Sequence, residues 1–321
     1  IFEYVRAAGL IARVDVAKDL AISPGSVTAL TAELIDEGYI HESAAPRRDA
    51  DSGRGRPPVA LGVNPTAGYV AGIKLSDQAH AAVILDFAGN RIAEAVSPRK
   101  VVHQSFAQTV DASEEVLLMA LAQTDLRLTD LDCVGLGLPG DIDNEAGVVP
   151  WSPLVSERDF PMRAALCERI GRPVEIDNDA NLVTLAEMWF GAARSLSDFV
   201  VVTIEHGVGM GLVLNHRLYR GAQGLGTEIG HTKVQLDGAL CRCGQRGCLE
   251  AYVADYALVR EASTALNWDR QRATEQQVML ESLYDHAKAG NAGAQAIFHR
   301  AGRYLALGLA NVVNLFDPSL I

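Results

Sequence analysis

Between residues 241 and 248 the chain reads Cys241-Arg242-Cys243-Gly244-Gln245-Arg246-Gly247-Cys248, and His231 stands ten positions upstream. Three thiolates and an imidazole make a closed tetrahedral set, which is the structural form of zinc site, with no position left open for chemistry. Gly244 and Gly247 let the loop fold around an ion. The alternatives are a reactive redox cluster or three incidental thiols. Cys133 and Cys167 bring the total to five. An odd count with no secretion signal points to cytosolic thiols and a metal site rather than disulfides. The expected cofactor is one structural zinc on His231, Cys241, Cys243 and Cys248, and the expected location is cytoplasmic.

With 321 residues the chain suits two or three folding units of ~100–150 residues each. It contains no run of ~18 apolar residues, so no membrane insertion is expected. Ile1–Leu10 carries Glu3 and Arg6 and does not read as a signal peptide. The chain starts without Met, and it stops on Asp317-Pro318-Ser319-Leu320-Ile321, a turn entering a strand after a helix over Ala301–Leu315. Missing residues at both ends are the expectation. Net charge is −12, yet residues 1–68 hold seven basic against nine acidic side chains, so the body carries most of the acidity. Within 43–60 the balance reverses to four basic against two acidic. A nucleic-acid contact there would be local and salt-sensitive.

The first ~60 residues read as short helices and a hairpin. Helices are expected over Phe2–Ala8 and Arg13–Leu20, the second turning Val14, Val16, Ala17 and Leu20 inward. After the tight link Ala21-Ile22-Ser23, Ser23 caps a third helix with Pro24 at its first position. Val27, Leu30, Leu34 and Ile35 make its expected buried stripe. Strands follow at Tyr39–His41 and Val59–Leu61, around the polar stretch Ser43–Pro58. From Gly68 the texture changes. Tyr69–Leu75, His80–Phe87 and Arg91–Pro98 read as successive strands, Ser105–Ala122 as a helix, Cys133–Leu138 and Val174–Asp177 as strands, and Asn181–Ala193 as a helix. The pattern restarts with Phe199–Glu205, Gly209–Leu214 and Arg217–Tyr219. Two such halves suggest a duplicated α/β body of two lobes with a cleft between them. The expected division is 1–62, 69–177 and 178–321.

A helix, a tight turn and a helix opened by Ser-Pro-Gly-Ser-Val-Thr form a helix-turn-helix pattern, and the two strands would be its wing. Ser23, Ser26 and Thr28 line the exposed first turn and suit phosphates or base edges. The wing ends Gly53-Arg54-Gly55-Arg56-Pro57-Pro58. Arg-Gly-Arg-Pro resembles the core of AT-hook peptides, and Arg54 and Arg56 suit a narrow minor groove. The alternative is a small helical protein-interaction domain with a basic loop.

Glu228 stands three residues before His231, Glu250 two after Cys248, and Asn178-Asp179 between a strand and a helix, where α/β sheets usually take ligands. One amide and three carboxylates suit a polyhydroxy ligand. Spacing alone equally allows solvated carboxylates and caps, with Asp179 merely capping the helix near Asn181.

The winged start, Gly53–Pro58, and Gly-His followed by Cys-x-Cys-Gly-x-x-Gly-Cys-Leu-Glu together resemble the ROK family (repressors, open reading frames and sugar kinases), over nearly the whole chain. The resemblance implies an actin-like, hexokinase-like (ribonuclease H-like) two-lobe α/β body behind the winged helix-turn-helix. It implies that Asn178, Asp179, Glu228, His231 and Glu250 match sugar-contacting positions, with the backbone at Pro139-Gly140 closing on the sugar. In the kinases the residue matching Asp179 activates the sugar hydroxyl. Those kinases also carry Asp-x-Gly-Gly-Thr on the first strand pair, where this chain has Lys74-Leu75-Ser76-Asp77-Gln78. The second phosphate loop, Gly-Thr-Gly-x-Gly, is here Glu205-His206-Gly207-Val208-Gly209. Phosphoryl transfer rests on positioning and charge neutralisation, and both places have lost it. The expectation is therefore no enzyme but a sugar-responsive regulator, a repressor. Its partners would be operator DNA, a sugar effector, further copies of itself as a homodimer or homotetramer, and, as in some relatives, a transport-system protein. The alternative is an ATP-dependent sugar kinase of the same family.

Overall fold

The structure, a computed structural model, describes residues 1–44, 59–99, 104–222, 224, 226–266 and 276–321. Two compact units divide the chain, Ile1–Asp179 and Ala180–Ile321.

The first unit opens with α1 (Phe2–Ala8), β1 (Leu10–Ala12), α2 (Arg13–Asp19), α3 (Pro24–Asp36), β2 (Ile40–Ala44) and β3 (Val59–Val63). β3 lies in the middle of a sheet and pairs antiparallel with β1 and with β2. The core of this head is Val5, Val16, Val27, Ile40, Leu61 and Val63. Two sequence expectations fail here. Val14 is 67 % exposed, because residues two apart on a helix point to nearly opposite sides, and Val16 takes the inner side. Leu30 is 45 % exposed and Thr31 is buried in its place. The Thr31 hydroxyl donates to the Val27 carbonyl at 2.8 Å, which satisfies it inside an otherwise apolar seam. The seam of α3 thus runs Val27, Thr31, Leu34, one step aside from the expected stripe. The strand β1, three residues long, carries no periodicity that the sequence could reveal.

A capped turn at Pro65–Ala67 leads into β4 (Tyr69–Leu75), β5 (Ala79–Asp86), β6 (Arg91–Pro98), α4 (Phe106–Leu121), β7 (Cys133–Leu138), the hairpin β8 (Asp141–Asp143) and β9 (Val148–Trp151), α5 (Met162–Ile170) and β10 (Val174–Asn178). The sheet order is β10-β7-β4-β5-β6. β10, β7 and β4 are parallel, while β5 and β6 turn back antiparallel. Ile73, Leu75, Ile84, Leu136, Leu138 and Ile176 from the sheet meet Leu117 of α4 and Leu166 of α5 in one core. Ser105 starts α4 through a reciprocal capping box with Gln108. The parallel register of β7 and β10 aligns Leu138 with Asn178, so Pro139-Gly140 and Asn178 share the carboxyl edge, where such sheets bind ligands.

Next comes α6 (Asp179–Trp189), which starts two residues before and stops four residues short of the expected helix Asn181–Ala193. Asp179 therefore stands inside the first helical turn, where an acidic side chain suits the helix dipole, and not on the cap. β11 (Phe199–Ile204), β12 (Val208–Leu214) and β13 (Arg217–Tyr219) form an antiparallel meander that repeats the opening of the first sheet. α7 (Glu250–Val253), α8 (Asp255–Ala265), α9 (Gln276–Lys288) and α10 (Ala292–Phe316) follow. α10 begins nine residues before the expected Ala301, its start set by the Asn291 side chain accepting the Ala294 N–H. After Asp317, at φ 44°, the Ser319 N–H donates to Asp198 and the Val200 N–H to Leu320, so the tail runs beside β11 as a turn entering a strand would. Among the described residues, no helix is long and apolar enough to cross a membrane.

Candidate metal centre and the residues around it

His231, Cys241, Cys243 and Cys248 offer ligand atoms that all lie within 4.8 Å of one another. His231 comes from a helical turn at Ile229–His231. The thiols come from a loop that folds back on itself, with Gly244 and Gly247 at φ 85° and 78°. A Cβ on Gly247 would stand 1.9 Å from the Gln235 carbonyl oxygen, so only glycine lets the loop close there. Isolated bridges Lys233–Cys248 and Leu240–Arg246 lock it. Cys243 Sγ is 3.8 Å from Cys248 Sγ, and Cys241 Sγ is 3.8 Å from His231 Nδ1. Atoms bound at ~2.0–2.3 Å to one tetrahedral ion stand roughly 3.5–3.8 Å apart, so the four residues fit a metal ion such as zinc.

The surroundings fit as well. The Lys233 ammonium donates to Cys248 Sγ at 2.9 Å, and this bond raises the Lys233 pKa. Burial pushes the Cys241 thiol up to about 12. For Cys243, burial is outweighed by the Gln245 N–H, the two neighbouring thiols and Lys233, and the pKa falls. Metal binding must therefore displace a firmly held proton from Cys241. His231 Nε2 lies 4.0 Å from Glu228 Oε2, beyond hydrogen-bond distance.

Glu250 is 8 % exposed. Its Oε1 lies 3.3 Å from the Tyr256 hydroxyl and 3.4 Å from Cys241 Sγ. Its Oε2 comes within 3.1 Å of where a Cβ on Gly207 would be. Arg242, between two cysteines, lies over the Tyr256 ring at 4.0 Å and donates to the His206 carbonyl at 3.5 Å. The Asp255 N–H donates to the Glu205 carbonyl at 3.0 Å. The cysteine loop and the β11–β12 turn are thereby one structure. Sequence reasoning missed Lys233, Arg242 and Tyr256. The signal for Arg242 was its place between two ligands; Tyr256 had none.

The sequence-assigned sugar residues fall into two groups, one in each unit. In the first, the Asn178 amide donates to the Gly140 carbonyl at 3.0 Å. Gly140 sits at φ 125°, and a Cβ there would be 2.3 Å from the Trp151 carbonyl oxygen. The Ser152 hydroxyl donates to Pro139 at 2.7 Å. Asp179 follows directly on α6. In the second unit, Glu228, His231 and Glu250 gather at the cysteine loop.

The turns that follow β4 and β11, at Ser76–Gln78 and Glu205–Gly207, are tight. At β4–β5 the Ser76 N–H donates to the Ala79 carbonyl, and the Ala79 N–H to Ser76 Oγ, both at 3.2 Å. The Arg99 N–H donates to the Gln78 carbonyl. The N–H groups of Ser76 and Ala79 are thus taken up within the turn. In β12, Cβ atoms on Gly209 and Gly211 would meet Ala180 at 2.9 Å and Thr184 Oγ1 at 1.9 Å. Close packing of α6 accounts for these glycines without any phosphate.

In the head, Ser23, Ser26 and Thr28 are exposed on the first turn of α3. Ser23 Oγ accepts the Ser26 N–H at 3.1 Å, and the Thr28 hydroxyl donates to the Pro24 carbonyl at 2.8 Å. Arg54 and Arg56 lie outside the described residues.

A two-unit α/β body with repeated antiparallel openings is a fold that this chain shares with a sugar kinase and a transcriptional regulator. The chain belongs to the ROK family, whose model matches residues 72–321. It is 28 % identical to the xylose repressor of Caldicellulosiruptor bescii, over 97 % of this chain and 78 % of that protein. A solved ROK family transcriptional regulator, a homologue of the E. coli MLC protein, matches with TM-score 0.75 and 28 % identity, over 97 % of this chain and 78 % of the other. The ROK hexokinase from Thermus thermophilus matches with TM-score 0.64 and 34 % identity, over 78 % of this chain and 80 % of the other.

Proposed function

We propose that the chain is a sugar-responsive transcriptional regulator, a repressor, that binds operator DNA through its head and a sugar through its body, without kinase activity. One observation carries this reading. The likeness to the repressor and to the solved regulator runs through the head, whereas the family domain begins at residue 72 and the hexokinase likeness leaves about a fifth of the chain unmatched. The head is read as a winged helix-turn-helix. Ser23, Ser26 and Thr28 on α3 would meet DNA, and Arg54 and Arg56 would reach the minor groove from the wing.

The proposed sugar contacts are Asn178, Asp179, Glu228, His231 and Glu250. Asp179 then accepts a sugar hydroxyl and does not serve as a base. His231, Cys241, Cys243 and Cys248 would hold zinc, whose contribution is to fix the loop that presents Glu228, His231 and Glu250. The absence of phosphoryl transfer is supported by Lys74 and Glu205 and by the self-bonded turn at Ser76. A homodimer or homotetramer would set two heads on a pseudo-palindromic site, with half-sites spaced by whole helical turns. Sugar and DNA would weaken each other's binding by the same factor, as linkage requires. The body would work in the cytoplasm, and a transport-system protein is a second class of partner.

A thermal-shift screen of D-xylose, D-glucose and N-acetyl-D-glucosamine, with and without magnesium ATP, tests the reading. Stabilisation by a sugar that does not need ATP supports it. ADP formation in the same wells would establish a kinase instead.

A further inference from the structure

Within the first unit, the head joins the five-stranded sheet through a short, crowded segment. Five residues, Asn64–Gly68, separate β3 from β4. The Asn64 amide donates to the Gly38 carbonyl and its N–H to the Tyr39 carbonyl, both at 2.9 Å. A Cβ on Gly68 would stand 2.4 Å from Asp132 Oδ2 and 3.4 Å from the Phe87 ring. The segment is therefore fastened on both sides.

Phe87 follows β5, at the tip of the β5–β6 hairpin, a place where a polar turn residue would serve. Its N–H donates to the Pro65 carbonyl at 3.1 Å. Its ring lies 5.6 Å from that of Phe2 and 5.5 Å from that of Tyr39, the second pair stacked at 23°. Phe87 and Ala88 pack against the buried core of the head. β5 pairs along its length with β4, and β4 pairs in parallel with β7, whose far end leads into Pro139-Gly140. The head is thus fastened to one edge of a sheet whose opposite edge carries Pro139, Gly140 and Asn178, about 20 Å away for a seven-residue strand.

We propose that Phe87 is a positioning residue that locks the head onto the first sheet, so that the two turn as one body and a ligand-driven displacement of the sheet reaches α3 without slack. The transmission half of this statement rests on the sugar-and-DNA reading above; the mechanical half does not.

The full chain, carrying a dye on a non-natural residue at exposed Ala29, is followed by time-resolved anisotropy. The wild type should show only the slow tumbling of the whole chain, and Phe87→Ala should add a fast component from a loosened head. Phe87→Leu should restore the slow decay. Should Phe87→Ala fail to fold, Tyr39→Ala removes the stacked ring from the head side and should give the same fast component. A fast component already present in the wild type, or none in either alanine variant, overturns the lock. In a second arm, affinity is measured for a duplex enriched by the wild type from a random 30-bp pool, with and without the sugar that stabilises the chain. The sugar-dependent fold-change should fall toward one in Phe87→Ala while sugar affinity itself holds. An unchanged fold-change overturns the transmission. A wild type whose duplex binding ignores sugar defeats the functional reading and leaves the anisotropy result to decide the lock.

Discussion

Removing the metal from the Cys3His loop should destabilise the second unit by an amount the structure bounds. An ion held by His231 and Cys248 closes a loop of eighteen residues. Treated as a cross-link, such a closure contributes about 3 kcal/mol through the entropy of the unfolded chain. The loss extends further, because Cys241 and Cys248 lie in the core with Leu212, Leu249 and Val312, and without the ion the thiols lose the bonds that hold the loop against that core. At roughly 3 °C per kcal/mol for a unit of this size, melting should fall by about 10 °C or more. The assay is differential scanning calorimetry of the zinc-loaded chain before and after dialysis against a chelator, with metal content read by mass spectrometry. Restoring one equivalent of zinc should restore the transition. Cys248→Ser should melt like the stripped protein and gain nothing from zinc. An unchanged melting curve after complete metal loss would refute the structural role, and with it the idea that the ion orders Glu228, His231 and Glu250.

Three further outcomes follow from particular residues. Gly140→Ala places a methyl group against the Trp151 carbonyl at a φ of 125°; the first unit should lose about 1–3 kcal/mol, read by urea denaturation, and sugar binding should weaken with it. Burial holds the His80 pKa below 6.5, against the Gln104 bond and aided by Arg99. The unfolded chain then binds more protons just below 6.5, so stability falls as pH drops through that value and is level above it; denaturation at pH 7.5 and 5.5 should show the fall, and His80→Gln should lessen it. Arg54→Ala with Arg56→Ala should cost several kcal/mol of operator affinity and flatten its salt dependence, whereas unchanged shifts in a gel assay would remove the wing from the interface.

Much of the site was legible because its chemistry is local. The cysteine spacing announced the cluster, since eight residues with two positive-φ glycines leave few ways to arrange three thiols. The strands β4, β5 and β6 alternate clearly enough to place their ends within a residue or two. Helical inner faces were harder. Val14 and Leu30 are as apolar as their buried neighbours, and only packing decides that Val16 and Thr31 go inside. The start of α6 was missed because Asp179 suits a cap and a first turn equally well. The partners of the cluster were invisible for a different reason. Tyr256 lies eight residues beyond the last cysteine, and its approach to Cys241 and Glu250 depends on how α7 and α8 fold back over the loop. Phe87 shows the same limit: a turn aromatic gains meaning only once Phe2 and Tyr39 are brought to it.

The coupling between sugar and DNA can be measured from both ends. Duplex affinity is determined by fluorescence anisotropy with and without saturating sugar, and sugar affinity by calorimetry with and without duplex, in the absence of ATP. Each ligand should weaken the other by the same factor, and no ADP should form when magnesium ATP is added. Sugar phosphorylation, or two affinities that ignore each other, would contradict the proposed function.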